Sequence, residues 1–165
     1  MSYAKFRSGV KLLVCLFAAV MTLTLAQPYS AFAEETANVM VNGEYVEFTD
    51  QQPVIIDGRT LVPIRAVMVK MGKTVTWDEA TQTTTVSDDE ISISLTIGDN
   101  IMRQVVVDSG TGEVFEFDVE LDVAPQIIGE RTLLPIRAVV EGFGTAVSWD
   151  EATSTVMIIT SQLLC

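Results

Sequence analysis

Carboxylates are the only abundant reactive groups in this 165-residue chain, which has 22 Asp and Glu, ten Lys and Arg, and no histidine. Without histidine the commonest general base and the commonest metal ligand are missing, so any catalysis would rest on acids alone. Between Val114 and Val123, Glu116, Asp118, Glu120 and Asp122 alternate with Phe117, Val119, Leu121 and Val123. In a strand the four carboxylates would share one face, about 7 Å apart. Hard oxygen donors could collect Ca²⁺ there, but a straight strand cannot wrap an ion and no looped calcium motif is present, so a solvated face is expected. Asp88-Asp89-Glu90 reads as a turn. Two carboxylates can also hydrolyse a glycoside. No segment surrounds an acid with apolar residues and aromatic sugar platforms, so no enzyme activity is expected.

The sharpest polar feature is a pair of arginines, Arg65 and Arg137, each falling in the first turn of a short helix. A cation there opposes the helix dipole at a cost of about 0.3–1 kcal/mol, so compensation is expected. Asp78 and Glu79 follow Arg65 at the same spacing as Asp150 and Glu151 follow Arg137. The expectation is an ion pair inside each lobe, Arg65 with Asp78 or else Glu79, and Arg137 with Asp150 or else Glu151. The competing reading is an anion or carboxylate-ligand site. Trp77 and Trp149 are expected to be core anchors. Were they exposed instead, they would suit stacking on sugar rings.

These residues recur because the chain repeats itself. Residues 53–86 align without a gap to 125–158 at an offset of 72, with 19 of 34 positions identical. Asp57-Gly58 and Gly129-Glu130 are turn pairs between apolar runs, which predicts a hairpin in each copy. Pro63 and Pro135 can open helices. Ile64, Val67, Met68 and Met71, and likewise Ile136, Val139, Val140 and Phe143, fall on one helical face. With Gly72 and Gly144 as stops, helices are predicted over 63–71 and 135–143, each followed by another hairpin. Asn42-Gly43 is the strongest hairpin signal in the chain, and alternating residues from Ile91 to Val123 read as further strands. The fold class expected is α+β, β-rich, with antiparallel hairpins packed around two short helices in pseudo-repeated lobes of about 38–90 and 91–160.

The compartment is read from the leader. Lys5, Arg7 and Lys11 precede an apolar run from Leu12 to Leu25, and Ala31-Phe32-Ala33 offers small residues for a signal peptidase. A signal peptide over 1–33, cut after Ala33, is expected, since the run falls short of the ~20 residues of a membrane span. Cys15 lies inside the run, unlike a lipid-modified cysteine. The expected mature domain, 34–165, would carry seven basic and 22 acidic side chains. Such a charge repels nucleic acid and anionic polymers and favours cations and basic partners. Cys165 would be the single cysteine left, so no internal disulfide is expected. The apolar end from Thr160 to Cys165 raises the expectation of a truncated reading frame.

The motif Arg59 to Val67, then Gly72, then Val75 to Asp78, repeated as Arg131 to Val139, Gly144 and Val147 to Asp150, resembles the copper amine oxidase N-terminal domain-like family. The resemblance implies a small α+β domain whose antiparallel sheet wraps a helix. It also implies a setting outside Gram-positive cells, as a stalk or accessory part of surface proteins. Oxidase activity does not come with the name, because that chemistry uses copper on histidines beside a tyrosine-derived quinone. This chain has no histidine, and Tyr45 is the single tyrosine after residue 33. Glu141 stands where the family usually has a glutamate, while the first copy has Val69. The expectation is therefore a secreted, non-catalytic structural or interaction module without cofactor or metal. A wall polymer or surface protein would be its partner, and only the uncleaved signal would touch a membrane. The alternative is a binder of wall polysaccharide.

Overall fold

The computed structural model describes residues 36–160. The signal peptide expected over 1–33 and Cys165 lie outside the described residues. Strands β1 (Asn38–Val41) and β2 (Glu44–Tyr45) form the first hairpin. Its turn residues Asn42 and Gly43 both have positive φ, 53° and 84°, the backbone that matches the twist of a tight hairpin. The first motif folds as β3 (Val54–Ile56), β4 (Arg59–Pro63), α1 (Ile64–Lys70), β5 (Thr74–Asp78) and β6 (Thr83–Ser87). Strands β7 (Ile91–Thr96), β8 (Ile101–Val107) and β9 (Val114–Glu120) follow. The second motif gives β10 (Gln126–Ile128), β11 (Arg131–Pro135), α2 (Ile136–Gly142), β12 (Ala146–Asp150) and β13 (Thr155–Ile159), each element set from its counterpart by the offset of the repeat.

Both helices sit within the segments expected to form them, and both close in the same way. Gly72 and Gly144 have φ of 75° and 69°. The Gly72 N–H donates to Val69 O at 3.0 Å and Lys73 N–H to Met68 O at 2.8 Å. Gly144 N–H donates to Glu141 O at 2.8 Å and Thr145 N–H to Val140 O at 3.3 Å. These are the two bonds of a Schellman stop, and they satisfy carbonyls that a two-turn helix would otherwise leave open.

The strands assemble into three sheets, ordered β12-β13-β1-β2, β10-β11-β4-β3 and β5-β6-β7-β8-β9. Nearly all pairing is antiparallel, but β1 runs parallel to β13, with Val39 opposite Val156 and Val41 opposite Ile158, all four buried. In the middle sheet β4 pairs with β11, so the hairpins of the two motifs are hydrogen-bonded to each other. The division drawn at residues 90 and 91 falls in the turn between β6 and β7, which are neighbours in the five-stranded sheet. That sheet carries helix α2 of the second motif on its inner face, where the Gln104 amide donates to Gly142 O at 2.7 Å. A Cβ on Gly142 would lie 2.5 Å from Ile93 Cδ1, so glycine allows this approach. Helix α1 of the first motif meets the first sheet, with Lys70 Nζ donating to Tyr45 O at 3.2 Å.

One core results. Val39, Met68, Val86, Leu95, Leu134, Val139 and Ile158 belong to a single buried cluster that draws on both motifs and all the intervening strands down to β8. Each such side chain contributes roughly 1.5–3 kcal/mol by leaving water. A smaller cluster of Val54, Leu61, Val123 and Leu133 lies beside it.

Candidate functional site

The arginines stand in the first turns of the two helices, as expected, but not in the expected ion pairs. Five ion pairs occur among the described residues, and neither Arg65 nor Arg137 is in one. Asp78 instead accepts from Ala80 N–H at 2.9 Å, and Asp150 accepts from Ala152 N–H at 3.0 Å and from the Thr153 hydroxyl at 2.7 Å. Each aspartate therefore closes its own turn. Strand alternation gives the reason: Asp78 projects from the face of β5 opposite to Trp77, while Arg65 opens toward the Trp77 side. Asp150 and Trp149 are separated by the same alternation. Glu79 and Glu151 are exposed and enter no ion pair among the described residues.

The recurring ion pair is a different one. Arg59 Nη2 meets Asp122 Oδ2 at 2.5 Å, and Arg131 pairs with Asp50. Arg59 and Arg131 are equivalent in the repeat, and Asp50 and Asp122 are related by the same offset. Each motif's hairpin thus reaches the acid that precedes the other motif. The sequence carried this signal, but both aspartates stand just ahead of the aligned blocks. The hydrogen bond from Arg131 and its charge hold the Asp50 carboxyl below the usual aspartate range.

Neither tryptophan is a core anchor. Trp77 is 37% exposed and Trp149 38%. Both lie on the inner faces of their sheets, Trp77 opposite buried Thr84 and Trp149 opposite buried Val156. But β5 and β12 are the outermost strands of their sheets, so each ring has a neighbouring strand on one side only.

Trp77 borders a groove of 790 Å³. Helix α1 contributes Arg65 and Val69, the segment after β2 contributes Phe48 and Asp50, and the β10–β11 hairpin contributes Ile127 and Arg131. Val69 is 62% exposed and Ile127 49%, so the groove offers open apolar surface. Arg65 adds a cation with no carboxylate partner among the described residues, whereas Arg131 is occupied by Asp50. In the second copy the positions equivalent to Phe48 and Val69 are Glu120 and Glu141. Phe48 and Val69 thus have acidic rather than apolar counterparts. The exchange of Val69 for Glu141 was visible in the sequence, but its meaning depends on what surrounds it.

The acidic strand is divided. Asp118 accepts from Arg103 Nε at 3.3 Å, and Asp122 turns away to Arg59. Among the described residues no group of three or more acidic or cysteine side chains is placed to hold a metal ion. No helix there is long and apolar enough to cross a membrane.

No curated protein and no solved structure matches the chain. Residues 40–158 match the copper amine oxidase N-terminal domain, which in those oxidases is a non-catalytic accessory domain. That match takes in both motifs, the strands between them and every residue of the groove, and the chain belongs to the copper amine oxidase N-terminal domain family.

Proposed function

We propose that this chain is an exported, non-catalytic interaction module, built on a duplicated motif, that binds glycan of the cell wall or surface across the Trp77 groove. One observation carries the reading: the indole of Trp77 is open to solvent beside apolar Val69 and the cation of Arg65, which has no carboxylate partner among the described residues. A sugar ring has an apolar C–H face that can lie on an indole, while its hydroxyls find donors and acceptors at the groove's edge. The chain's net charge of −12 disfavours polyanions, so the fitting glycan is a neutral or amino-bearing one. The single core and the hairpins joined across the middle sheet suit a rigid presenter of such a groove.

Co-sedimentation with purified, de-anionised wall polysaccharide tests this. Wild type should pellet with the polymer, Trp77→Ala should lose most of that binding, and Trp149→Ala should keep it. Equal binding by wild type and Trp77→Ala would reject the groove as the glycan site.

A further inference from the structure

The five-stranded sheet ends on β9, and this edge is built unlike the others. It is seven residues long, against two, three or five for β2, β3, β10, β5 and β12, and every one of its residues is exposed. Phe115 is 46% exposed, Phe117 50% and Val119 38%. These three stand on the inner face, opposite Val106, Gln104 and Met102 of β8. Helix α2 covers the sheet only as far as β8, where Gln104 holds Gly142 O, so the apolar row of β9 is left as an open shelf.

The backbone of the edge is open as well. Leu121 N–H donates to Asn100 O and Asp108 N–H to Glu113 O, which fixes the alternation of the β8–β9 ladder. By that alternation Phe115, Phe117 and Val119 turn their peptide groups to β8. Val114, Glu116, Asp118 and Glu120 turn theirs outward. A long edge with aromatic residues and without lysine or proline is the kind that recruits another strand.

We infer that β9 is a docking edge for an extended segment of another protein, one that alternates apolar with basic residues and adds to the sheet as a sixth strand. The charge pattern selects this occupant. Glu116, Asp118 and Glu120 occupy the outer face of β9, and of these Asp118 has Arg103 beside it. A second copy of β9, paired antiparallel about Phe117, would set Glu116 against Asp118 and repel itself. A strand with basic residues on that face would meet acids there, and its apolar residues would cover Phe115, Phe117 and Val119. The main-chain bonds would supply affinity and the alternating side chains selectivity. This inference is independent of the groove, since no groove residue lies on β9.

The test uses the full chain and a short synthetic peptide alternating valine and lysine, followed by calorimetry or fluorescence anisotropy. Glu116→Pro removes one outward N–H at an edge position that tolerates proline, and should weaken peptide binding roughly tenfold. Glu116→Lys with Glu120→Lys leaves the backbone intact and should transfer the preference to a valine–glutamate peptide. A blocked peptide of the same composition, four valines followed by four lysines, should bind no better than the Glu116→Pro variant binds the alternating one. Equal binding of blocked and alternating peptides, or undiminished binding by Glu116→Pro, would overturn the inference. So would sedimentation of the chain as a dimer that Glu116→Pro disperses, because the occupant would then be a second copy.

Discussion

Arg131 pairs with Asp50 across 81 residues of chain, and the equivalent Arg59 reaches forward to Asp122 across 63. Neither arginine binds an acid of its own motif. The pairs flank the β4–β11 joint, where the hairpins of the two motifs are hydrogen-bonded. Their position, rather than their strength, is informative: each marks the register in which one motif is laid against the other.

Because the side chains of Arg59 and Asp122 are 51% and 69% exposed, water and salt screen their attraction. A double-mutant cycle of Arg59→Ala and Asp122→Ala, followed by urea unfolding, is expected to give a coupling of about 0–1 kcal/mol. The coupling should shrink further in 1 M salt. A coupling of several kcal/mol would mean that the pair is shielded from solvent.

Arg65→Glu is expected to stabilise the fold. With no carboxylate partner among the described residues, Arg65 contributes an opposed charge at the start of α1, and a glutamate there would gain about 0.3–1 kcal/mol. An internal ion pair would have given the opposite sign. Chemical denaturation of the single variant settles which sign holds.

Both tryptophans should be open to quenchers in the folded state. Acrylamide is expected to quench native Trp77 and Trp149, with emission between that of a buried and a solvated indole. Trp77→Ala should cost less than the about 3–5 kcal/mol of a fully buried aromatic, whereas Leu61→Ala, at a fully buried site, should cost about 2–5 kcal/mol. Native emission strongly blue-shifted in both single-tryptophan variants would contradict the exposure of the rings.

Acid should weaken the fold through its turn aspartates. Burial raises the Asp88 carboxyl, but hydrogen bonds from Lys73 and from the Ile91 and Glu90 N–H groups outweigh it and bring the pKa below the ordinary value. Asp108 is lowered by the Thr111 N–H and hydroxyl and by the Gly110 N–H. A folded pKa below the unfolded one of about 3.9 gives stability that is complete above roughly pH 5 and is lost as pH falls through the folded value. Urea midpoints should therefore be flat from about pH 5 to 7 and fall below about 4, and Asp88→Asn should flatten part of that fall. An unchanged slope in the variant would remove Asp88 from the account.

Gly142→Leu is expected to destabilise by about 1–3 kcal/mol, because the added atoms would enter space held by Ile93 and Met102. The counterpart in α1 is Lys70, whose side chain runs out to Glu44 at 3.0 Å. Lys70→Gly should cost about 1 kcal/mol in helix propensity and about 0.5–1.5 kcal/mol for the lost bond to Tyr45 O, with no steric cost. Thermal melts of the two variants compare the two environments directly.

The extent of the two helices, their glycine stops, the positive-φ turns at Asn42-Gly43 and Asp57-Gly58, and the alternation of the strands were all present in the sequence. Each depends on residues within a few positions of one another, so spacing alone expresses it. The recurrence of residues at an offset of 72 was equally open, because it is read by aligning the sequence with itself. What the sequence could not express was which surface each unit meets. The parallel pairing of β1 with β13, the helix of one motif lying on the sheet begun by the other, and the crossed arginine–aspartate pairs all join residues far apart in the chain. Tertiary packing also placed Trp77 and Trp149 on edge strands. A tryptophan on the inward face of an edge strand is flanked by a strand on one side only, and that side cover leaves more than a third of each ring residue exposed. The same limit left Arg65 without its expected aspartate: a strand sends alternate side chains to opposite faces, and Asp78 went to the other one.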